Sequence, residues 1–163
     1  MPFNLIAPLL FVLSFSKPGF PAFSTRPLYY QLPANTTSFQ NIQGDIIRLI
    51  NAHRQSMRLP PLQPDSIESA IAAKHSWNMA NGKLPFGHKD LDKRMAVISR
   101  AKGPVLNMGE NVASGQITGK EVVDSWLQSA GHRRNIEGDF KFTGIGIARS
   151  KKGVLFFTEI FTR

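Results

Sequence analysis

Histidine, serine and the carboxylates are the side chains that could do chemistry in this sequence, because cysteine is absent. That absence removes disulfide scaffolds, thiolate zinc sites, iron–sulfur clusters and cysteine nucleophiles together. Ser129 lies three residues before His132 and Ser125 seven before it, so a Ser–His pair of the kind that activates a nucleophile can be drawn. Nothing nearby supplies an oxyanion hole, however, and serine in a helix is more often a capping or surface residue. Ser114 sits in Ala-Ser-Gly, which is not the strained nucleophile elbow. Gly144 and Gly146 are followed by no third glycine and open no helix, which sets aside a dinucleotide fingerprint. His53 and His75 fall on helical patterns, where packed or surface roles are expected. Trp77 and Trp126 have helical spacing to apolar neighbours, and core packing is expected of both.

The elements that must position these groups are readable from periodicity. Ile42, Ile46, Leu49, Ile50, His53 and Met57 recur at helical spacing from about Ser38 to Met57, and the prolines after Leu59 end that helix. A second helix is expected from Asp65, whose carboxylate caps free amides and whose partner Glu68 completes a capping-box pattern. Its periodic residues are Ile67, Ala70, Ile71, Lys74, Trp77 and Met79, and Asn81-Gly82 is a fitting stop. A short third helix follows His88 and runs to about Ile98. Thr118 and Glu121 form another capping box, opening a helix that buries Val122, Val123, Trp126 and Leu127 and that Gly131 is expected to end. Thr143 to Arg149 then alternates, Lys151-Lys152-Gly153 turns, and Val154 to Thr162 is rich in Phe, Thr and Ile, which predicts a hairpin. Gly144 and Gly146 share one face of their strand, where missing side chains admit a close neighbour.

A chain of 163 residues with 42% hydrophobic content suits one compact domain. The apolar run Leu5 to Leu13 is too short for a membrane helix and suits the centre of a secretory signal, which gives a leader over residues 1–16. Residues 17–40 carry Pro18, Pro21, Pro27 and Pro33 and read as an extended linker before a domain at 41–163. The net charge of +9 favours anionic surroundings, and before Pro33 the only charged residues are Lys17 and Arg26, so the basic character belongs to the folded part. The basic residues are dispersed and no aromatics interleave them, so nucleic acid is not the expected partner.

Three segments, taken in order, resemble a known family: Gly109 to Gly115 (GENVASG), Ser125 to Ile136 (SWLQSAGHRRNI) and Thr143 to Ala148 (TGIGIA). They are similar to the cysteine-rich secretory protein, antigen 5 and pathogenesis-related class 1 superfamily (the CAP or SCP domain). Ile50 to Arg54, Leu59 to Leu62, Ala72 to Ser76, Phe86 to His88 and Phe156 to Phe161 extend the resemblance over about residues 41–161. The resemblance implies an α+β fold, an α-β-α sandwich with a small antiparallel sheet between helical layers, usually secreted to the extracellular space or cell envelope. It also implies that His88, Glu110 and His132 face one cleft, with Asn135 bracing it through hydrogen bonds. Ser129 and Phe156 stand where the eukaryotic branch has a second Glu and a second His, so the pattern is closer to the cysteine-free bacterial branch.

His88, Glu110 and His132 follow one another at intervals of 22 residues, so only a fold can gather them. Two imidazoles and a carboxylate would suit zinc or another divalent cation with an open water position. The alternative for the same three is a hydrogen-bonded polar cluster. No organic cofactor is expected. The resulting expectation is a monomeric binding or interaction module whose partner is a small molecule, lipid or cell-envelope component, with no transmembrane helix. Its rivals are a metal-dependent hydrolase of peptide or cell-wall substrates, and a structural or lipid-binding domain whose cleft is vestigial.

Overall fold

The computed structural model describes residues 35–163. The expected leader and most of the expected linker lie outside the described residues. The first helix, α1 (Asn35–Ser56), starts once Pro33 is passed, so the last residues of the expected linker are helical. It buries Ile46, Ile50 and, near its end, Arg54. After a two-residue strand β1 (Gln63–Pro64) come α2 (Ser66–Ala80), α3 (Leu91–Lys102) and the strand β2 (Met108–Ser114). Two helices, α4 (Gly119–Gln128) and α5 (Ala130–Ile136), precede the hairpin of β3 (Phe142–Arg149) and β4 (Leu155–Thr162).

The sheet order is β1-β3-β4-β2. The long strands are antiparallel, with Glu110 opposite Ile160 and Gly144 also opposite Ile160, and β1 adds a short parallel pairing to β3. β4 is therefore central, and its alternation sorts the two faces. Phe157 and Phe161 pack with Ile46, Ile50, Trp126, Ile136 and Ile145 beneath α1, α4 and α5. Ile160 packs with Ala72 and Ile98 beneath α2 and α3. The result is the α-β-α sandwich expected from the resemblance, with a mixed sheet where a purely antiparallel one was expected.

Both capping residues act, with a modified reciprocal half. Asp65 accepts from the amides of Ile67 and Glu68, and Thr118 accepts from the amide of Glu121. Glu121 reaches back to the amide of Ile117, whereas Glu68 turns into the core and accepts from Lys102 and Thr162. Consequently α2 presents Glu68, Ala72, His75, Ser76 and Met79 to the sheet. This is not the face its apolar residues suggested: Trp77 is 40% exposed. The polar inward face works because its groups find partners across the layer: the Ser76 hydroxyl donates to Gly146 O and Thr158 Oγ1, and Glu68 accepts from Thr162. Space for α2 comes from Gly144 and Gly146, where a Cβ would lie 2.2 Å from Ser69 N and 2.0 Å from Ala73 N.

The other departures are local. The third helix continues past Ile98 to Lys102. Gly131 does not end the fourth helix. Ser129 does, by adopting an extended conformation (φ −90, ψ 119), and Gly131 falls in the first turn of α5. Trp126 is fully buried, and its Nε1 donates to Val112 O at 3.2 Å.

Candidate binding cleft

Glu110 points from β2 toward the layer of α2 and α3, and its carboxylate is buried. His88, in the loop before α3, donates Nδ1–H to Glu110 Oε1 at 2.9 Å. Arg94, in the first turns of α3, makes a two-pronged contact with the same carboxylate, Nε to Oε2 and Nη2 to Oε1, each at 2.7 Å. Arg94 is itself anchored by Nη1 donating to Lys89 O. Burial alone would push the Glu110 carboxyl up, but the hydrogen bonds from His88 and Arg94 and the Arg94 charge hold it below the ordinary glutamate value. Glu110 is thus an anion with its own built-in cation.

His75, on α2, is buried and donates Nε2–H to Gly87 O at 2.8 Å, with Glu110 Oε1 at 3.8 Å from that nitrogen. Burial lowers its pKa, against the smaller raising effects of the Gly87 carbonyl and the Glu110 charge, so the ring is held neutral. The His88 side chain is 47% exposed, and among the described residues its Nε2 has no hydrogen-bond partner. With Nδ1–H committed to Glu110, the other ring nitrogen, Nε2, is the one left for a ligand.

His132 sits on α5, half-buried, and makes no hydrogen bond from its ring among the described residues. Its pKa is lowered by burial first and then by the His88 charge, so the two imidazoles are electrostatic neighbours. The α5 backbone is tied to β2 by Asn111, which donates to His132 O at 3.1 Å. Asn135 donates to Glu110 O at 3.1 Å and to Asn111 Oδ1 at 2.8 Å. So His88 and Glu110 are in contact, Asn135 fixes the main chain under Glu110, and the His132 ring makes no hydrogen bond to Glu110 among the described residues.

Among the described residues no group of three or more His, Asp or Glu side chains is placed to hold a metal ion. The reason is Arg94. With both Glu110 oxygens taken by a guanidinium, a divalent ion at that carboxylate would meet a fixed positive charge, so His88, Glu110 and His132 do not fit as three direct ligands. The sequence gives no sign of Arg94, and of the packed or surface roles expected for His75 the structure shows the packed one. Arg94 lies in the charged run Lys89 to Arg94, which reads as a solvated helix start, and its partner is 16 residues away on a strand. His53, by contrast, pairs with Glu137 at 2.9 Å on the opposite layer.

Helices on both faces of a four-stranded sheet, with an imidazole–carboxylate–guanidinium cluster at its β2 edge, define a small α-β-α sandwich domain. The sequence model of the cysteine-rich secretory protein (CAP) family matches residues 47–161, and the chain belongs to this family. It is 33% identical over 129 residues to the YkwD protein of Bacillus subtilis strain 168, covering 74% of this chain and 46% of that one. It is also similar to the crystal structure of an extracellular protein containing an SCP domain from Bacillus anthracis strain Ames, at 30% identity and a TM-score of 0.65, covering 77% of this chain and 41% of that one. An outer surface protein of Borrelia burgdorferi shares the fold, with 20% identity and a TM-score of 0.62 over 74% of this chain and 93% of that one. The chain thus spans less than half the length of the two Bacillus proteins. No described helix is long and apolar enough to cross a membrane.

Proposed function

We propose that the domain is an extracellular or cell-envelope binding module whose cleft holds a polar ligand between His88 and His132. One observation carries this reading: the buried Glu110 carboxylate is saturated by Arg94 and His88, which fixes the half-exposed His88 ring through Nδ1 and leaves Nε2 without a protein partner among the described residues. A group locked between a guanidinium and an imidazole is poorly placed to move a proton, so Glu110 orients and does not act as a general base. The extracellular setting is supported by the apolar run at Leu5 to Leu13 and by the extracellular and outer-surface relatives.

A divalent ion is the second reading, in altered form. A carboxylate behind an imidazole is the usual support of a metal-bound histidine, so Glu110 would stand behind His88, with His88 and His132 as the protein ligands. The test follows the histidine ring resonances during titration with zinc, acetate, phosphate and N-acetylated sugars, in wild type and in His88→Ala and His132→Ala. Saturable shifts at both rings, lost in either variant, are expected for one of these probes. Binding that is unchanged in both variants would remove the cleft as the site. Turnover of a peptide, ester and glycan panel that vanishes in Glu110→Gln would replace the binding module with an enzyme.

A further inference from the structure

The exposed side of α2 carries a second feature, which meets the Glu110 cluster only at His75 and Arg94. A groove of about 490 Å³ beside the β3–β4 turn has Val154 and Phe156 among its apolar residues, and Lys83, Lys151 and Lys152 among its polar ones. A second groove, of about 240 Å³ between α2 and α3, includes Lys74 and Asn78. Trp77 joins them, with Lys83 Nζ 4.3 Å and Lys74 Nζ 4.9 Å from its ring centroid. Among the described residues, Lys74, Lys83, Lys151 and Lys152 form no ion pair with a carboxylate, whereas Lys93 of the second groove pairs with Asp90. Lys74 of one groove and Lys83 of the other, both over the Trp77 ring, link the two into one track whose four lysines pair with no carboxylate among the described residues.

The chemistry of the track narrows its occupant. Repeated unpaired lysines suit a chain of regularly spaced anions. Asn78, Asn81 and Ser150 add side chains that can both donate to and accept from hydroxyls. A partly exposed indole offers a flat apolar surface against which the C–H face of a sugar ring can pack. A single-stranded nucleic acid would want successive aromatic faces open for stacking, whereas the other aromatic of the track, Phe156, is packed edge-on against Phe86. A bilayer would want a protruding apolar face, and here Val154 and Phe156 line a concavity. We propose that this track binds a linear acidic polysaccharide, its carboxylates on the lysines and one sugar ring against Trp77.

The test titrates the full chain with oligogalacturonate at physiological salt and reads tryptophan emission. Trp126 is fully buried, so a change in emission reports Trp77. Saturable binding is expected, weakened about tenfold or more by Lys151→Glu with Lys152→Glu and fading as salt rises. Trp77→Phe should lose the optical signal and, by calorimetry, bind more weakly. A charge-matched control, Arg48→Glu with Lys120→Glu, alters exposed residues on α1 and α4 and should bind as wild type. The proposal is overturned if no saturation occurs or if the control loses as much as the track variant. It is equally overturned if polyglutamate, single-stranded DNA or phosphatidylglycerol vesicles bind as tightly as the glycan.

Discussion

Replacing Glu159 with glutamine should make the protein more stable as pH rises, because the glutamate is a proton trap in the middle of the sheet. Glu159 is fully buried on β4, accepts from Thr143 Oγ1 at 3.0 Å through Oε1, and has no partner for Oε2. Burial pushes its carboxyl up to about 8, against the smaller lowering effects of the Thr143 bond and the Arg54 charge. Arg54 does not need the carboxylate, since its guanidinium donates to the carbonyls of Pro60, Ile136 and Gly138. A carboxyl raised in the fold gives stability that is complete below its unfolded value of 4.5 and is lost as pH climbs to about 8. At about 1.4 kcal/mol per pH step, the advantage of Glu159→Gln should grow by about 3 kcal/mol from pH 5 to pH 7.5 and then level off. Urea unfolding followed by Trp126 emission at a series of pH values measures this difference. A difference between the two proteins that stays flat with pH, or glutamine less stable at pH 8, would mean that Arg54 holds Glu159 ionised and would refute the reasoning.

Arg94→Met should cost about 3–5 kcal/mol by leaving the Glu110 carboxylate buried with a single partner, and adding Glu110→Gln should recover part of it in the same urea experiment. Gly146→Ala should cost about 3 kcal/mol or more, because its Cβ would sit 2.0 Å from Ala73 N and α2 would have to lift. Gly44→Ala, on α1 with nothing within 4 Å of the added methyl, should instead stabilise by about 0.5–1 kcal/mol in thermal unfolding.

The sequence was most legible where structure is made locally. The caps at Asp65 and Thr118 depend on residues two or three apart, and the hairpin depends on alternation on either side of Gly153, whose φ of 85 suits glycine. The close approach at Gly144 and Gly146 was also readable, because two missing side chains on one strand face leave few other uses. The inward face of α2 was not readable. Glu68 reads as a capping partner and His75 as packed or surface until Lys102 and Gly87 are placed beside them by the fold. Trp77 was misjudged for the same reason, since apolar spacing says nothing of which side the sheet will take. At the cleft, family resemblance pointed to His88 and Glu110 but not to Arg94, whose burial depends on a strand that arrives later in the chain. Gly131 misled because helix stops were sought in glycine, whereas the break comes from the extended backbone at Ser129.

The side-chain bonds that hold α4 and α5 against β2 have a consequence for how copies of this molecule meet. β2 is the long strand at one end of the sheet, and Glu110 and Val112 are two residues apart on it. The oxygens of both are occupied, one by the Asn135 amide and the other by the Trp126 indole. The opposite end is only two residues long and includes Pro64, which lacks the amide hydrogen that a further ladder would need. The margin along Glu110–Val112 is therefore not an open template on which another polypeptide could zip, and strand addition would have to begin elsewhere, as at Gly144–Arg149 of β3, which extend past the two pairings that β1 makes.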